Sequence, residues 1–140
     1  MADVIYNSVK SSFLKASINL TTNTIKVALV TSSYTPNQDT HDFFDDVTNE
    51  VTGAGYTAGG VTLASKTVTE DAAANTAIFD AADVTWAAST ITAAGAVIYK
   101  STGVSSTSNL IAFIDFGSSF STISGTFQIT WSASGILYLG

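Results

Sequence analysis

The chain has 140 residues, 46% hydrophobic and only 11% charged, with a net charge of −6 and no Cys. This excludes disulfide and thiolate chemistry and the charged, apolar-poor composition of disordered chains. With five Lys and no Arg, it also argues against nucleic acid, phosphate groups or an anionic membrane as partners.

Ser and Thr supply 39 residues. Thr favours strands and Ser favours turns, so the composition predicts one β-rich domain over residues 1–140 with a hydroxylated solvent face. No apolar leader core opens the sequence, and no run is long enough to span a bilayer.

In chain order, residues 3–18 read as a helix. Asp3 is the expected N-cap, and Ile5, Val9 and Phe13 recur at four-residue spacing beside Tyr6, Leu14 and Ile18. "TIKVALVT" (24–31) reads as a strand, with Ile25, Val27 and Leu29 on one face and Lys26, Ala28 and Val30 on the other. A long loop region follows over 32–60. It holds the only proline, Pro36, and Phe43, Phe44 and Val47 suggest a helical turn anchoring it. Glycines at 53, 55, 59 and 60 mark turns.

"VTLASKTVTE" reads as a strand, and "TAIFDAADVTWAA" as an extended segment broken at Asp80. "ITAAGAVIYKST" reads as a strand whose Gly95 marks a bulge or close backbone approach. "NLIAFIDF" is the most apolar strand and is expected to be central. "GTFQITWSASGILYLG" reads as a closing hairpin around "SASG". Trp86 and Trp131 sit in alternating patterns and are expected in the core. The expected architecture is mainly β: an antiparallel β-sandwich or partly closed barrel with a short N-terminal α-helix.

One stretch looks like chemistry. "THDFFDDVTNE" (40–50) holds the only histidine, His41, with Asp42, Asp45, Asp46 and Glu50, and Asp39 just precedes it. A calcium loop of the EF-hand type needs glycine at its sixth position. Counted from Asp39 that position is Phe44, and from Asp42 it is Val47. A zinc site needs several His or Cys ligands. No G-x-S-x-G nucleophile elbow is present. Asp45 and Asp46 are adjacent, unlike the paired carboxylates of glycosidases, which come from separate strands.

The stretch therefore reads as an acidic loop pinned by two Phe, with a weak divalent-cation site as the alternative. No catalytic residue, cofactor or metal ligand is assigned, and the chain is not expected to be an enzyme. Glu70–Asp71 and Asp80/Asp83 read as turn or edge charges. Asp115, inside "FIDF", is expected to face solvent or to pair with Lys26 or Lys100.

Several segments carry a resemblance, in order: "MADVIYNSVKSSFLKASINLTTNTIKVALV", "YTP…THDFFDDV", "LASKTV", "DAADVTW", "AVIYKSTG" and "LIAFIDF". Together they resemble a family of small tailed-bacteriophage virion structural proteins of the head decoration, or capsid cement, type. The resemblance covers essentially the whole chain. Its motifs are packing and turn patterns, diagnostic as a set. The end departs from the family pattern: "WSASGILYLG" stands where several relatives close with a charged "W-D-N-G" hairpin.

The resemblance implies a protein on the outer surface of the phage head, made in the host cytoplasm. It implies binding to the major capsid protein at capsomer junctions, as a homotrimer. In the loop it implies that Phe43 packs inward and that His41 or an acid bonds backbone. Tyr34, Pro36, Phe43 and Phe44 are the expected partner-contact residues. Two other readings stay open: a tail or fibre-associated adhesin module, and a small hydrolase using His41 with a nearby acid.

Overall fold

A computed structural model describes residues 2–140. In chain order it contains β1 (Val4–Ile5), α1 (Asn7–Leu14), β2 (Ile25–Val30), β3 (Val61–Thr62), β4 (Thr67–Asp71) and β5 (Thr76–Asp80). Then come β6 (Val84–Ser89), β7 (Thr92–Lys100), β8 (Leu110–Ser121), β9 (Gly125–Ile129) and β10 (Leu137–Leu139). The protein is mainly β, with 43% strand, 10% helix and several antiparallel sheets, and the described residues form no closed barrel.

A five-stranded sheet, ordered β1-β8-β7-β2-β3, forms the central layer. Both of its faces are buried, which explains why β2 is apolar at every position but Lys26. Ile25, Val27 and Leu29 join the larger core with Ile98, Ile111, Phe79, Trp86 and Phe127. Ala28 and Val30 join a second cluster with Tyr6, Tyr34, Val97, Tyr99, Leu110 and Phe113. The larger core lies beneath two smaller sheets, β10-β5-β4 and β6-β9, while the second lies beneath the 32–50 loop.

One long antiparallel strand pair links the layers. β7 and β8 pair from Tyr99↔Leu110 to Thr92↔Ser121, and the same two chain segments continue as β6 and β9 from Ser89↔Gly125 to Val84↔Ile129. The pair bends where it changes sheet, as strands at sandwich corners do. Phe116 and Phe127, eleven residues apart, have ring centroids 6.1 Å apart; a straight strand would separate them by about 36 Å. Hydroxyls hold the corner: the fully buried Ser89 Oγ lies 2.8 Å from Thr122 Oγ1 and donates to the Gly125 carbonyl at 3.0 Å. Gly95 marks both a register shift and a close approach, since a Cβ there would come within 2.5 Å of the Phe113 ring.

The helix is shorter than the periodicity suggests. Val4 and Ile5 pair with Phe113 and Ala112 as an edge strand, so the helix starts only at Asn7. Asp3 is not its N-cap; its Oδ1 accepts the Asp115 N–H at 2.8 Å. The N-cap is Tyr6, without a side-chain cap bond. A Schellman turn ends the helix: Ala16 (φ 54°) donates to Phe13 O at 3.0 Å and Ser17 to Ser12 O at 2.8 Å. Leu14, expected on the apolar stripe, is 91% exposed.

Other expectations also shift. "VTLASKTVTE" divides into β3 and β4, which lie in different sheets, with Ser65 at φ 52° between them. "NLIAFIDF" runs on to Ser121; it lies inside the sheet between β1 and β7, as expected, with β7 at the middle position. The closing hairpin is absent. The Ser132–Gly135 turn forms, with Gly135 N–H donating to Ser132 O at 2.9 Å, but β9 pairs with β6 and β10 pairs with β5. Trp86 is buried as expected. Trp131 is half-buried, and its indole N–H donates to Ala82 O at 3.0 Å.

Candidate functional site

The 34–60 segment is where the chain places its only histidine, two of its five tyrosines and a cluster of acids, so its bonding decides what chemistry is open to it. The Asn37 side chain nucleates the loop, its Oδ1 accepting from Asp39 N at 3.0 Å and Thr40 N at 3.1 Å. His41 then folds back. Its Nδ1 accepts the Asn37 N–H at 3.3 Å and lies 3.1 Å from the Tyr34 hydroxyl, itself 2.7 Å from the Tyr6 hydroxyl. With Nδ1 accepting from Asn37, neutral His41 carries its proton on Nε2. The direction of donation is then Tyr6 to Tyr34 to His41. Burial pushes the Tyr6 hydroxyl well above the ordinary tyrosine range, and its bond to Tyr34 pushes it further. Burial raises Tyr34 as well.

The acids are used in the same way. Asp46 Oδ2 accepts from Asp42 N at 2.8 Å and Phe43 N at 3.2 Å, closing the 3₁₀ turn Phe44–Asp46. Glu50 Oε1 accepts the Tyr56 hydroxyl at 2.7 Å and the Gly59 N–H at 2.6 Å. The Tyr56 oxygen in turn accepts the Leu29 N–H at 3.0 Å, and the Tyr99 hydroxyl donates to Gly59 O at 2.6 Å. These bonds tie the glycine-rich turns onto β2 and β7. Burial, then the bond to Glu50, raise Tyr56; burial, then the Glu50 charge, hold Tyr99 up at about 12.

The expected contact residues do not form an exposed apolar set. Tyr34 is 1% exposed and packs edge-on against Phe113, so it cannot meet a partner while the loop is folded. Phe44 stacks on Tyr99 with ring centroids 4.1 Å apart. Pro36 and Phe43 are half-buried. Phe44, not Phe43, is packed against the second cluster, while Phe43 bridges through its backbone to Asn109. The expectation that His41 or an acid bonds backbone holds for both His41 and Asp46. The 32–50 loop is a lid over the central sheet, closed further by Leu110 N–H to Asp42 O at 3.0 Å and Asn7 N–H to Gln38 O at 3.0 Å.

Among the described residues, no three His, Asp or Glu side chains converge as metal ligands do. Asp42 and Asp45 face solvent. Three other acids accept backbone N–H groups. Asp71 Oδ1 accepts two turn N–H groups, those of Ala73 and Ala74, and Asp83 Oδ1 accepts the Trp131 N–H at 3.0 Å. Asp115 Oδ1 accepts the Gly117 N–H at 3.0 Å, while Lys100, one of its expected partners, donates to Ser17 O at 2.6 Å.

Sequence reasoning passed over the exposed apolar side chains. Phe120 is 52% and Ile123 85% exposed, and Tyr138 and Leu139 are also exposed. The available signal was two large apolar residues inside the otherwise small and polar run "GSSFSTISG". No protein-family model, curated protein or solved structure matches this chain.

Proposed function

We propose that this chain is a non-enzymatic structural protein of a tailed-bacteriophage particle: a head decoration protein that binds the outer capsid surface at capsomer junctions. The observation that supports this reading is how the one chemistry-rich stretch is used. His41, Asp46 and Glu50 all bond groups of the chain itself, backbone N–H groups and, for His41 and Glu50, a tyrosine, while large apolar side chains, Ile123, Tyr138 and Leu139 among them, are left on the exterior. The segments that carry the family resemblance do packing work. "DVTW" places Trp86 in the core, and "IYK" places Tyr99 beneath Phe44.

The mechanism is linkage. A protein that binds the assembled shell and not its separated subunits stabilises the shell by mass action, by about 2.7 kcal/mol per site at a free concentration a hundredfold above Kd. Repeated at every junction, this opposes the outward pressure of packaged DNA. The partners are the major capsid protein and, in a homotrimer, further copies of the chain.

Particles lacking the chain should release DNA on heating or osmotic shock under conditions that intact particles survive. Equal survival of the two would overturn the assignment.

A further inference from the structure

Charge is absent from one end of the chain. Residues 116–140 contain no Asp, Glu, Lys, Arg or His, in a protein of net charge −6. That segment includes β9, which pairs with β6 on one side and with no strand on the other. An open edge offers unpaired backbone groups to any extended chain, and proteins guard such edges with charge, Pro or brevity.

Of the other outer strands, β6 is uncharged but has the Gly55 turn against its end, where a Cβ on Gly55 would come within 3.0 Å of Ala88 O, and the rest are guarded. β1 and β3 are two residues long and β10 is three. β4 carries Glu70 and Asp71. β9 has neither charge nor Pro over its five residues, GTFQI.

A groove of about 450 Å³ runs along this edge. The consecutive residues Thr126 to Thr130 all line it. Successive side chains of a strand point to opposite faces, so a groove touched by every one lies at the strand's edge. Its apolar wall comes from β8 across the bend: Phe116 and Phe120, whose ring centroids are 6.4 Å apart.

We propose that the free edge of β9 takes an extended, uncharged strand from a partner protein. Main-chain hydrogen bonds would supply the pairing, and apolar side chains at alternate positions would rest on Phe116 and Phe120. The proposal rests on the reading of the chain as an adhesive component and names its contact face. The absence of charge selects the partner's chemistry, since a charged side chain placed here would be desolvated with nothing to pair it. A second copy of this chain fits less well. Its β9 sits inside the same bend, so a twofold contact sets one concave elbow against another, and its other outer strands are short, charged or, for β6, approached by the Gly55 turn.

The test uses the free, full-length chain and needs no particle. The probe is a capped seven-residue peptide of alternating Thr and Val at millimolar concentration, read by amide hydrogen exchange. Exchange in β9 should slow about tenfold, with little change elsewhere. Gln128→Lys, on an exposed position of the edge, and Phe120→Asp, on the wall, should each abolish that protection while leaving the circular dichroism unchanged. A peptide with Pro at alternate positions should give none.

Protection located elsewhere, or none at all, would overturn the proposal. So would β9 protection that grows with chain concentration in the absence of peptide, which would assign the edge to a second copy. Failure of the chain to bind capsids would count against the proposed function alone.

Discussion

Gly60→Ala is expected to cost about 3 kcal/mol or more of folding stability, while Gly103→Ala costs about 1–2 kcal/mol. Both glycines have positive φ, +75° and +87°, so both substitutions carry the backbone penalty of the left-handed region. They differ in what the new methyl meets. At Gly60 a Cβ would overlap the Val27 carbonyl oxygen, and at Gly103 nothing lies within 4 Å.

The obstacle at Gly60 cannot yield. Val27 is fully buried and pairs with Val61 on one side and Ile98 on the other, so moving its carbonyl disturbs both ladders. Gly60 also donates its N–H to Thr57 O at 2.9 Å, which fixes the turn leading into β3. Denaturant midpoints of the two variants measure the difference. Equal losses would mean that the 53–60 turns are not held against β2 as described.

The second large effect is loss of stability in base. Tyr6, Tyr34, Tyr56 and Tyr99 are all held above the ordinary tyrosine value by burial, Tyr99 at about 12. In the unfolded chain these hydroxyls titrate near pH 10. Above that pH the unfolded state gives up protons that the folded state keeps, so stability falls as pH rises. The contribution is fully present below about pH 10 and is lost as pH climbs toward and through the folded values.

Each tyrosine adds a slope of up to about 1.4 kcal/mol per pH unit. Together they can consume a typical domain stability of about 5–15 kcal/mol within a few pH units. Tyrosinate absorbance and far-ultraviolet circular dichroism, followed together from pH 9 to pH 12, should show a cooperative unfolding step with these tyrosines ionising in it. Stability unchanged across that window would contradict the bonding described for the lid and for the Glu50 network.

Some of the fold was legible locally. β2 announces burial on both faces because Lys26 is its only polar residue, and Gly95 announces a close approach because a small residue interrupts an apolar strand. The alternation in "TFQIT" correctly separates the buried Phe127 and Ile129 from the exposed Thr126 and Gln128. Its partner was not legible. Nearness in sequence and a genuine turn at 132–135 favour a hairpin, but the long strand pair from β7–β8 carries β9 to β6 and leaves β10 to β5.

The lid shows the same limit. An aromatic residue in a polar loop near a proline suits an exposed anchor and a buried plug equally well. For Tyr34 the choice is made by Tyr6, 28 residues earlier, through a hydroxyl contact that no local pattern encodes. The acids were easier to read, because side-chain carboxylates close to turn N–H groups in sequence commonly bond them, as Asp46 and Asp71 do.

Cryo-microscopy of the intact particle, with the copy number of the chain counted in the same preparation, tests the proposed role most directly. The account predicts density for this fold over the outer face of the head at the capsomer junctions, in hundreds of copies per particle. Density confined to the tail, in tens of copies or fewer, would contradict it and favour the adhesin reading.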